Sequence, residues 1–171
     1  MTSENALFLR DTLLRQLTNE HGTTKRVIAA IPSGHLEYRP DPKAKTAFDL
    51  AWHIASSEIF FLTAVGAGGF SAPDSARPEG VKNPADIVSW YEEQFRIAAG
   101  KIEALDAEAL QKTLDFRGLF QSPAVFYLST GMTHSIHHRG ELATYLRPMG
   151  GKVPSIYGPS ADEDIRRPAT A

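Results

Sequence analysis

The stretch Met132-Thr133-His134-Ser135-Ile136-His137-His138-Arg139-Gly140-Glu141-Leu142 lies inside a long segment with the period of a helix. Three of the chain's six histidines fall within five consecutive positions there, and His134 and His138 stand one helical turn apart. Residues four apart on a helix share a face with Cβ atoms roughly 5–6 Å apart, so two imidazoles can converge on one point. That geometry suits a metal ion. A third ligand must come from elsewhere, and the best-placed candidate is His53, in the run Leu50-Ala51-Trp52-His53-Ile54-Ala55 of an earlier helical segment. The expectation is a helical bundle holding a three-histidine site with a coordination position open.

Composition narrows the chemistry. The chain has 171 residues and no cysteine. That length fits one domain spanning 1–171. The lack of cysteine removes disulfides, thiolate nucleophiles and thiolate-bound zinc, leaving histidine and carboxylate as the strong metal ligands. A formal charge of −2 gives no basic surface for nucleic acid or anionic lipid. Met1 to Ala6 do not form a secretory leader, and no apolar stretch reaches the roughly 20 residues of a membrane span, so a cytoplasmic protein is expected.

Four long helices are expected. The first runs from Ser3 to Ile31, capped at Ser3 or Asn5, with a kink or break near Gly22 and His21 on the surface. Pro40 and Pro42 make the segment from His35 to Lys45 a loop, so His35 is a poor ligand candidate. Thr46 caps the second helix, with Asp49 at the capping-box position, and Gly66 to Gly69 end it. Large apolar residues surround it on most sides, as in a helix buried against several neighbours. A long connection over 66–83 precedes Asn83-Pro84, a cap followed by proline that opens the third helix. A short helical turn at 106–110 and a small hairpin or extended connection at 113–120 come next. Ser122-Pro123 reads as the start of the fourth helix, which ends near Arg147, and the tail from Lys152 reads as irregular, especially after about 160. The fold class is all-α, a four-helix bundle.

If His138 faces the bundle axis, Tyr127, Gly131, Leu142 and Tyr145 share its stripe and His137 points to a flank. His134 with His137, at spacing three, is the alternative pair. Gly131 leaves either space for a ligand or room for close helix packing, the second being the more economical reading. Asp49, one turn before His53, is placed to accept that ring's spare proton, to approach the metal itself, or simply to cap its helix. Glu58 lies on the far side of the same helix and is excluded as a ligand. Glu141 is placed as an outer acceptor or acid/base group, or as a surface ion-pair partner of Arg139 or Arg147. With Asp49 and Tyr127 it completes the candidates for assisting proton transfer. The position after His134 is Ser135, so the glutamate base of a zinc-protease helix is missing, and the ligand sets of di-iron bundles are absent too.

The run from His134 to Leu142, followed by Tyr145-Leu146-Arg147 and by Gly150-Gly-Lys-Val-Pro154-Ser-Ile-Tyr157-Gly158, resembles the end of DinB/YfiT-like proteins, and the helix around His53 resembles their second helix. The likeness extends from the first helix to about Ser160. It implies a bundle of that type, commonly a homodimer, in which His53, His134 and His138 hold one divalent metal, zinc or nickel most often. Glu141 stands where many relatives carry glutamine. Characterised relatives include transferases and isomerases that activate a low-molecular-weight thiol on the metal.

Three neutral imidazoles leave the charge of a divalent ion uncompensated, which acidifies a bound water and favours a thiol as thiolate. The function expected is therefore that of a metal-dependent enzyme acting on a small molecule, either a thiol-dependent transferase or a hydrolase. The competing expectation is a non-catalytic bundle that binds metal or a stress ligand. No basic stripe interleaved with aromatics points to nucleic acid.

Overall fold

A computed structural model describes residues 1–71 and 76–163. The expected irregular end of the tail, 164–171, and the middle of the long connection, 72–75, lie outside the described residues. In order, the elements are α1 (Ser3–Ala29), α2 (Ala47–Ala67), α3 (Pro84–Glu103), a short α4 (Ala107–Gln111), strands β1 (Thr113–Phe116) and β2 (Phe120–Pro123), and α5 (Phe126–Leu146). The four long helices form a bundle in which α2 packs on α5 and α3, and α1 packs on the same two. α1 is thus diagonal to α2, and α3 to α5.

The local signals act largely as expected. Thr2, one residue before the predicted cap, accepts from the Asn5 amide and opens α1, which continues through Gly22 without a break. Thr46 caps α2, and Asn83 with Asp86 forms a full capping box on α3. Gly68 ends α2 in the left-handed conformation at φ 72°, a geometry that favours glycine. Leu50, Ile54, Leu62, Ile87, Ile102 and Leu128 are wholly buried in one core. Against the expectation that no segment is long and apolar enough, α2 could span a membrane by length and composition; here it is the central helix of that core, with neighbours on two sides.

Two expectations are corrected. Ser122 and Pro123 do not open the last helix. They pair in β2 with Leu114 and Thr113, and the amides of Ala124 and Val125 donate to Lys112 and Leu110. The hairpin therefore consumes the residues that would have capped a helix, and α5 begins at Phe126 with no side-chain cap. Proline is tolerated there because the strand is at the sheet edge. His21 is not a surface residue: it is buried, with its ring stacked on Phe95 and edge-on to Tyr91. Burial, then nearby Lys25, lowers its pKa to about 3, so it is held neutral.

A polar layer crosses the interior where α1, α2, α3 and α5 meet. Tyr91 donates to Glu58 Oε1 at 2.5 Å, and both side chains are fully buried. Arg139, also buried, pairs with Glu20 at 2.6 Å and donates to Thr24 and to Tyr157. Tyr157 donates in turn to Glu20, which pins the tail to α1. Burial pushes the Glu58 carboxyl up to about 7, although the Tyr91 hydrogen bond opposes the shift.

Two glycines test the packing in opposite senses. A Cβ on Gly131 would lie 2.9 Å from Phe61 Cβ, whereas one on Gly22 would meet nothing within 4 Å. Gly22→Ala should stabilise the protein by about 0.5–1 kcal/mol through helix propensity. Gly131→Ala gains the same propensity but forces apart a rigid contact costing about 1–3 kcal/mol, so it should be net destabilising in urea unfolding. Glu58 sets a pH dependence. Its folded pKa is raised, so the native state holds a proton that the unfolded chain releases near 4.5, and stability from this group falls as pH rises from 4.5 to about 7. Glu58→Gln should remove that fall, on the order of 3 kcal/mol at most, when urea midpoints are compared across the range.

Candidate metal centre

α2 and α5 run antiparallel, because residues later in α2 meet residues earlier in α5. His53 meets His138 and His134, and further along Phe61 meets His134 and Tyr127. Gly131 sits in this contact and lets the helices approach, so close packing is its role. One nitrogen from each of His53, His134 and His138 lies within 4.8 Å of the other two. All three rings are half-buried, while His137 is exposed on the flank and His35, exposed in the short turn before α2, is not part of the cluster. The cluster thus joins the two histidines at spacing four and leaves out the spacing-three partner.

The neighbours orient the rings. Ser57 Oγ lies 3.2 Å from His53 Nδ1, and Glu141 Oε2 lies 3.0 Å from His138 Nδ1. Both rings therefore have Nε2 free for the common centre. Glu141 is itself fixed by the Tyr145 hydroxyl at 3.0 Å, and the His138 hydrogen bond holds its carboxyl below the usual range. His134 Nδ1 is buried with no hydrogen-bond partner among the described residues. An orphaned buried nitrogen is costly unless something occupies it. Burial, followed by repulsion from His138 and His134, lowers His53 to about 4, and burial with neighbouring histidines lowers His134. Lone pairs are consequently available at neutral pH.

These residues fit a divalent ion. Tetrahedral binding at roughly 2.0–2.1 Å from each nitrogen requires nitrogens about 3.3–3.4 Å apart, which small side-chain rotations supply from the present spacing. The other candidates are engaged elsewhere. Asp49 does not reach His53; its carboxylate pairs with Arg77 at 3.1 Å, and its amide completes the Thr46 cap. Ser57, one turn after His53, takes that position, and its i,i+4 spacing is the signal the sequence offers. The Tyr127 hydroxyl donates to the carbonyls of Leu114 and Phe120 and so anchors the hairpin to α5. Glu58, as expected, faces away from the histidines into the polar layer.

Residues 1–167 match the sequence profile of the DinB family. The chain belongs to the DinB family. Two relatives come from Bacillus subtilis. The uncharacterized protein YrdA is 28% identical over 155 residues, covering 90% of each chain, and the uncharacterized protein YjoA is 24% identical over 140 residues, covering 81% of this chain and 89% of YjoA. The fold matches the crystal structure of a DinB-like protein from Bacillus cereus with a TM-score of 0.72 at 22% identity, over 86% of this chain and 97% of that one. It matches the YjoA crystal structure at 0.67 and 23% identity, over 90% and 99%. Helical architecture is thus shared across the DinB proteins, while the ring-orienting contacts of Ser57 and Glu141 are read from this chain's own geometry.

The Glu141 contact fixes a tautomer. In metal-free protein at mildly alkaline pH, His138 should carry its proton on Nδ1, and Glu141→Ala should relax it toward a mixture, as read from long-range nitrogen–proton NMR correlations.

Proposed function

We propose that this DinB protein is a mononuclear metal enzyme, binding one divalent ion, zinc or nickel, through His53, His134 and His138, and that it catalyses thiol-dependent transfer to a small electrophile. The observation that carries the reading is the convergence of three imidazoles on a half-exposed point, with two of them oriented from behind by Ser57 and Glu141. When bound, such an ion supplies an electrophilic centre that lowers the pKa of a thiol or water at its free position.

The residues around the site favour thiol transfer over hydrolysis. Hydrolysis calls for a general base within hydrogen-bond reach of the attacking water. The three residues considered for assisting proton transfer are committed: Glu141 to His138 and Tyr145, Asp49 to Arg77, and Tyr127 to the hairpin backbone. A thiol acidified at the site needs no such base, since its proton passes to solvent on the open side. Glu141 then serves to hold the His138 ring and to offset part of the cationic charge.

Protein purified without chelator should contain about one zinc or nickel per chain by elemental analysis, and His134→Ala should abolish this. Glu141→Ala should weaken metal binding by roughly 10–100-fold in competition with a chromophoric chelator, with Glu141→Gln weakening it less. Because the apolar core is complete without the ion, chelation should lower the melting temperature by only a few degrees, on the order of 5 °C. Metal-loaded protein should conjugate a low-molecular-weight thiol to a generic electrophile. Bound metal with turnover of esters or amides alone would replace transfer with hydrolysis, and stoichiometric metal with no turnover at all would replace the enzyme with a binding bundle.

A further inference from the structure

Beyond the histidines, the contact between α2 and α5 continues into a group of phenylalanines. Phe61, whose ring centre is 6.3 Å from that of His134, is buried against Gly131. Next to it stand Phe60, Phe70 from the connection after α2, and Phe116 from β1, with ring centres 5.0–6.5 Å apart. Phe120 from β2 extends the group at 5.3 Å from Phe116. Phe60, Phe70 and Phe116 are only partly buried, and Phe120 is 44% exposed. Phe60 follows His53 by two helical turns, about 10 Å along the same face of α2. The rings therefore form a ledge that starts within one small molecule's length of the histidines and carries no charge.

Anchoring the hairpin accounts for part of this cluster, but not for its solvent-facing side. Tyr127 already holds both strands by hydrogen bonds, and Phe61 fills the space over Gly131. Leaving several further rings partly wet forgoes burial worth about 25 cal/mol per Å². Contiguous, partly exposed aromatic surface beside a cluster of imidazoles marks a binding surface.

We propose that the substrate side of the candidate metal centre is an aromatic ledge formed by Phe60, Phe70 and Phe116, and that the cognate small molecule carries an uncharged planar or aromatic group that lies on it while its reactive end reaches the histidines. The inference rests on the metal reading above and specifies its substrate class. Stacked or edge-on ring pairs add to simple area burial, so the ledge favours a ligand carrying an aromatic group over one ending in a short alkyl chain.

The test compares 2-phenylethanethiol with 1-propanethiol on cobalt-substituted protein, following the sulfur-to-metal absorption band. The aromatic thiol should bind roughly tenfold more tightly or better. That ratio should collapse toward unity in Phe60→Ala and in Phe70→Leu, the latter keeping apolar volume should the former fold poorly, and should persist in the remote control Phe8→Ala. Equal binding of the two thiols by the parent protein, or a preference that survives both ledge variants, overturns the ledge while leaving the metal reading intact. If the protein takes up no metal, the metal reading fails separately, and 2-phenylethanol is compared with 1-propanol on metal-free protein by NMR. Shifts confined to Phe60, Phe70 and Phe116, and larger for the aromatic alcohol, then support the ledge; equal or diffuse shifts overturn it.

Discussion

The site depends on how closely α2 and α5 approach. Their contact is tight where Gly131 faces Phe61, at a separation that a single methyl group would violate. Because the two helices are antiparallel and in register there, one turn further along brings Ser57 level with His134, and the next brings His53 level with His138. Imidazoles reach only a few ångströms from their backbones. Were α2 and α5 spaced as wider helix pairs are, one ring from α2 could not join two from α5 around a common centre.

α5 carries different chemistry on different faces, and this is what makes it the pivotal helix. Toward α2 it presents His134, His138 and, between turns, the small Gly131. Toward the interior it presents Ser135 and Arg139, each directly following one of those histidines, and Arg139 is locked by Glu20, Thr24 and Tyr157. A buried ion pair of this kind contributes little net stability, because desolvation offsets the Coulomb attraction, yet a rotated helix would leave its charge unpaired at high cost. The polar layer therefore resists rotation of α5 about its own axis, and the histidines remain aimed at α2. Glu141, on the edge of the same helix, completes the arrangement by holding a ring it follows by three residues.

Much of this was readable in the residue order. Apolar periodicity, the Thr46 cap and the Asn83-Pro84 start located the helices, and the i,i+4 spacing of His134 and His138 placed two rings on one face. The misreadings share a cause. Ser122-Pro123 has the residues of a helix start, but cross-strand pairing with Thr113 and Leu114 outweighed that local preference. His21 beside a glycine looked like surface, but its helix face meets Tyr91 and Phe95 from α3. Asp49 was one turn from His53, yet Arg77, distant along the chain, claimed its carboxylate.

The sequence by itself determined the helical elements, the family likeness and which histidines share a helix face, because those properties rest on periodicity and on interactions within a few residues. Only the tertiary structure decided that His53 meets the other two, that Ser57 and Glu141 rather than Asp49 orient the rings, and that Phe60, Phe70 and Phe116 gather beside them. These outcomes follow from contacts between segments tens of residues apart, whose geometry is set by packing and by competition for buried hydrogen bonds, and no local pattern encodes the winner of that competition.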